Sequence, residues 1–128
     1  MSPRPAVIVH GLDDACAALQ PGLAVRLVSA PGAASYAGAA WWRALVDGAR
    51  RLHPDTECDD LLDCGDAPGH AMAALRSGCM ALVLDARCPG FAAVQAAAGT
   101  LGAKVVSCRP AALELADWHR IARKPGGT

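Results

Sequence analysis

Apolar residues along this chain fall into two alternating patterns. Short unbroken runs, rich in valine and leucine, are separated by longer stretches where apolar positions recur every three or four residues. Ala6-Val-Ile-Val9 is such a run, the mark of a strand buried on both faces. It ends at His10-Gly11, where Asp13 suits the cap of a helix reaching about Gln20 and stopped by Pro21-Gly22. The second strand spans Leu23 to Ser29. Ala39 to Leu52 then places apolar residues at 42, 45, 46, 49 and 52, one face of an amphipathic helix. Arg43, Asp47, Arg50 and Arg51 fall mostly opposite, and Trp41 and Trp42 cannot both face the core. Leu61-Leu62 belongs to a third strand, Pro68 to Ser77 to a helix ended by Gly78, and Met80 to Asp85 to a fourth strand. Phe91, Val94, Ala98 and Leu101 mark a helix capped by Gly102. Lys104 to Ser107 is the fifth strand, and Pro110 starts a last helix through Leu113, Ala116 and Ile121.

Five strand–helix units with short connections predict an α/β protein with an all-parallel sheet in a single domain over residues 1–123, and a frayed tail over 124–128. Two architectures satisfy this pattern. One is a three-layer, flavodoxin-like or Rossmann-like sheet; the other is half of a closed barrel. The three-layer form is preferred here because it covers both faces of the sheet.

Composition narrows the picture. The 128 residues leave room for one core. Hydrophobic residues are 53% of the chain but aromatics only 4%, so helices should lie close on the sheet through alanine. The formal net charge is zero, which gives nucleic acid or an anionic membrane no electrostatic handle. The apolar run before His10 is shorter than a signal-peptide core, and no stretch is long enough to span a membrane, so a cytoplasmic address is expected. The six cysteines are then expected as reduced thiols. None forms a C-x-x-C pair, so neither a zinc knuckle nor a thioredoxin-type centre is predicted.

Parallel sheets and barrels bind ligands at the carboxyl ends of their strands. Here those ends present His10, Ser29, Asp63, Asp85 and Ser107, with Arg109 as a charged clamp for a carboxylate or phosphate. Gly32 lies in a glycine-bearing loop ahead of a helix, where an anion could sit. Strand ends also gather polar residues simply because they abut water, and Asp63 has a second reading as a loop cap. Cys64 stands out through its neighbours, and a Cys64–His70–Asp66 nucleophilic group can be drawn.

Three segments carry a family resemblance: Val28-Ser-Ala-Pro-Gly-Ala33 with Tyr36-Ala-Gly38, Leu62-Asp-Cys-Gly-Asp66, and Ala74-Leu-Arg-Ser-Gly-Cys-Met-Ala-Leu-Val-Leu-Asp85. In order and spacing they resemble the amino-terminal half of class II, metal-dependent fructose-bisphosphate aldolases. The resemblance runs from about Ala6 to Arg109. It implies strand order 1-2-3-4-5 around part of a barrel, and Asp63 as the general acid/base if the chain is an enzyme. The family's next residue, a histidine ligand of the catalytic metal, is replaced by Cys64, a weak candidate for zinc. The other metal histidines and the phosphate loops belong to later strands, and the family's Glu-x-Glu falls on Val106 and Cys108. No cofactor is therefore expected.

The functional expectation is a non-catalytic small-molecule binder, for a sugar- or phosphate-type ligand, built on an aldolase-like half-barrel with its site around Asp63. The alternatives are a lyase completed by oligomerisation and a protein-interaction module with an exposed tryptophan patch. A phosphorylation-type receiver domain, with Asp63 as acceptor, Asp13 and Asp14 as its acidic pair and Arg109 in place of lysine, fits the register poorly. Open sheet edges predict a homodimer.

Overall fold

Five parallel strands lie side by side in chain order: β1 (Ala6–Ile8), β2 (Val25–Val28), β3 (Cys58–Asp63), β4 (Ala81–Val83) and β5 (Lys104–Val106). The structure is a computed structural model that describes residues 4–123; the expected frayed tail, 124–128, lies outside the described residues. Between and after the strands run α1 (Leu12–Leu19), α2 (Ala33–Tyr36), α3 (Ala39–Leu52), α4 (Pro68–Arg76), α5 (Phe91–Leu101) and α6 (Leu115–Ala122).

Alternation along each strand divides the apolar residues into two cores. Val7, Val9, Val25, Leu27, Leu62, Leu82 and Leu84 point to one side, where every one of the six helices contributes a buried residue. Ala6, Val28, Leu61 and Val83 form a smaller cluster on the opposite, inner side. This corrects the preference for a three-layer sheet. A flavodoxin-like sheet has order 2-1-3-4-5, with helices on both faces. Here each crossover steps to the next strand in the same direction, and crossovers of one hand then leave every helix on one side. The strand order is that of a barrel wall.

An inner face without helices would lie bare, and the chain covers part of it with its own last crossing. After β5 the backbone passes over the inner side. Ala112 packs on the cluster of Ala6, Val28, Leu61 and Val83, and Leu113 forms a parallel bridge with Val7. The Leu113 N–H donates to Ala6 O at 2.8 Å, and the Ile8 N–H donates to Leu113 O at 2.9 Å. The helix expected from Pro110 therefore starts only at Leu115, because the polar backbone groups of Leu113 are committed to β1. The expectation of two open sheet edges is corrected in the same way: β1 is bridged, and the exposed residues Lys104 and Val106 mark β5 as the open edge.

α3 carries Trp42, which is fully covered. Trp41 is half-buried, its ring centroid 6.1 Å from that of Trp42. Trp118, on α6, is buried and donates from its indole N–H to Ala18 O at 2.9 Å. An interaction module would expose Trp41, Trp42 or Trp118; Trp42 and Trp118 serve the core, and Trp41 is half-buried. Among the described residues, no helix is long and apolar enough to cross a membrane.

Candidate functional site

Asp63 and Cys64 are neighbours in sequence, and strand parity sends them to opposite sides of the sheet. Asp63 lies on the inner side, only 5% exposed. Its N–H donates to Ser29 Oγ at 2.9 Å, and one carboxylate oxygen accepts from the Gly65 N–H at 2.8 Å. The other oxygen accepts from an Arg109 guanidinium nitrogen at 2.9 Å. Ser29 is fully buried, and its hydroxyl donates a hydrogen bond to Ala30 O. Of the predicted ring, the structure thus brings Ser29, Asp63 and Arg109 together, as a covered ion pair with its supports. Gly32 adjoins it: a Cβ on Gly65 would lie 3.7 Å from the Gly32 Cα, and both glycines have positive φ, which suits these tight loops.

Cys64 faces the helices and is fully buried among apolar side chains. Burial, then the neighbouring Cys79 and Asp63, push its thiol up to about 12. Enclosed by apolar side chains on the helix side of the sheet, Cys64 does not fit the metal-ligand role suggested for it. Among the described residues, no three His, Cys, Asp or Glu side chains gather as a metal-holding group. The Cys64–His70–Asp66 constellation is corrected too, because His70 and Asp66 are exposed while Cys64 lies inside the core. Cys79 is likewise raised, chiefly by burial. In the native protein at pH 8, Ellman's reagent should therefore modify the exposed Cys108 quickly, and Cys64 and Cys79 only as fast as the fold opens. Prompt labelling of Cys64 would contradict its placement.

The remaining candidates do not join Asp63. His10 is exposed, and its N–H donates to Asp14 Oδ2 at 3.0 Å. Asp85 is clasped by Arg87, whose side chain and N–H hold the carboxyl down to about 2. Ser107 is exposed.

Two features escaped the sequence reading. The first is a buried carboxylate, Asp60, on the helix side of β3. It accepts from the Trp42 indole N–H at 3.0 Å, from Arg43 at 2.9 Å and from Arg50 at 3.1 Å. The available signal was the seven-residue spacing of Arg43 and Arg50, two helical turns along one stripe of α3.

The second is a cleft of about 550 Å³ that reaches from the amino-terminal ends of β3 and β4 along β5 to Val106 and Pro110. It opens because β3 is paired out of step. Cys58–Leu61 pairs with β2, whereas β4 joins only at Leu62 and Asp63. Leu61, Met80, Ala81, Val106 and Pro110 give the cleft apolar walls, and Arg26, Arg43, Arg50 and Lys104 bring positive charge to it, opposed by Asp59 and Asp60. Its size and mixed lining are those of a small-molecule site. No protein-family model and no curated protein matches this chain.

Proposed function

We propose that the chain is a non-catalytic small-molecule-binding domain, a half-barrel of aldolase-like descent whose ligand occupies the cleft beneath β3–β5. The single observation that carries this reading is the division of labour on the inner side of the sheet. Asp63, the residue suited to acid/base work, is covered and held by Arg109, whereas the cleft is open, apolar-walled and positively charged. A general acid/base must reach its substrate within hydrogen-bond distance; Asp63 instead anchors the crossing segment. The resemblance in the loops after β2 and β3 supports the descent, and the sequential strand order agrees with it.

Amide shifts in the 15N spectrum test this reading, with fructose 1,6-bisphosphate, inorganic phosphate and hexanoate as probes. At least one probe should move Leu61, Ala81 and Val106 while leaving Ser29 and Asp63 in place. Shifts centred on Asp63 would return the site to the strand-end rim, and no shift at the cleft with any probe would remove the reading.

A second reading, a homodimer joined through β5, is favoured by one feature. β5 is an edge strand bearing exposed Lys104 and Val106, and such edges recruit partners. The molecular mass in solution decides it: a monomer at millimolar concentration ends that reading.

A further inference from the structure

The charges around the cleft can be paired off one by one. Arg26 is held by Asp59 through two parallel hydrogen bonds, at 2.9 and 3.1 Å. Arg43 and Arg50 share Asp60 and Asp47 between them. Lys104 lines the same cleft, is exposed, and has no ion-pair partner among the described residues. One positive charge is therefore left to meet a ligand. Lys104 stands beside Ala81 in the sheet register, on the inner side next to the apolar walls.

The backbone at this end of the sheet limits the ligand further. α4 terminates at Ser77, beside Gly78, and α5 terminates at Gly102. Both Gly78 and Gly102 line the cleft. The carboxyl ends of helices carry partial negative charge, so they disfavour a second anionic group beside them. Among the described residues that line the cleft, none belongs to a helix amino terminus that could cradle a phosphate. The walls ask for an apolar body, since Met80 is 53% and Val106 37% exposed with no covering side chain.

We propose that the ligand of this cleft is an apolar monocarboxylate, its single charge held by Lys104 and its body laid against Leu61, Met80, Ala81 and Val106. This inference rests on the cleft being the binding site and goes beyond it by naming the ligand class. The preference is for one charge, neither none nor two.

The test compares hexanoate, hexanamide and the dianion adipate by titrating the Leu61, Ala81 and Val106 amides in the intact protein and in Lys104→Met. Methionine keeps most of the apolar stem, and Lys104 is exposed, so the fold should persist; far-UV circular dichroism and the melting temperature check this. Hexanoate should bind at least about tenfold tighter than hexanamide or adipate, the size of one charge-assisted contact. In Lys104→Met its advantage over hexanamide should vanish. Equal binding of hexanoate and hexanamide, or tighter binding of adipate or fructose 1,6-bisphosphate at these amides, would overturn the monocarboxylate while leaving the cleft as the site. Absence of any shift there with every probe would overturn both.

Discussion

Asp60→Ala is expected to cost about 3–4 kcal/mol of folding stability. The carboxylate is only 9% exposed, and three donors converge on it from α3. Removing it leaves the Trp42 indole N–H buried without an acceptor, about 1–3 kcal/mol by itself. It also leaves Arg43, 16% exposed, with only Asp47 as counter-charge. Arg50 can turn to water, which keeps the loss from being larger. A fall of roughly 10–15 °C in melting temperature should accompany it. Asp60→Asn separates charge from hydrogen bonding, because the amide oxygen can still accept from Trp42; about half the loss is expected. Urea denaturation of the three proteins reads these values directly. A cost under about 1 kcal/mol for the alanine variant would mean that Asp60 is solvated in solution and that α3 is held by Trp42 and its apolar neighbours alone.

Arg109→Ala is expected to cost about 2–4 kcal/mol. It leaves the covered carboxylate of Asp63 with the Gly65 N–H as its remaining donor among the described residues. It also frees the crossing segment, whose other anchors are the packing of Ala112 and the bridge at Leu113. The second guanidinium nitrogen of Arg109 is itself buried without a hydrogen-bond partner, which offsets part of what the ion pair contributes and sets the upper bound. Because one partner's removal strands the other, the two should not add. Asp63→Asn/Arg109→Ala should be about 2 kcal/mol more stable than the sum of the single changes predicts. Additivity within about 0.5 kcal/mol would show that the pair is not formed in solution.

The repeating architecture was legible because its signals are local. Gly78 and Gly102 stop helices where the apolar period stops, and the β-branched runs sit where β1 and β2 lie. What escaped depends on parity and on distance. Asp63 was found by type and position, yet its role was decided by Arg109, far along the chain. Cys64 was grouped with Asp63 by adjacency, although side chains one apart on a strand diverge. Pro110 signalled a helix start correctly in principle. Leu113 was instead taken by the unpaired edge of β1, a tertiary demand that local propensity does not contain. The cleft arises from the register of β3 against two neighbours, which no single segment encodes.

The bridge at Leu113 has a bearing on how the protein is made. β1 leaves the ribosome before the other four strands, and its outer edge is bridged by Leu113, which follows all of them. During synthesis the inner cluster of Ala6, Val28, Leu61 and Val83 lacks Ala112, and β1 lacks its neighbour. The nascent chain therefore carries a bare apolar face and a free strand edge until the crossing segment has emerged. Such surfaces invite mispairing with other chains, so the fold depends on the crossing after β5 to hide what its first strands expose.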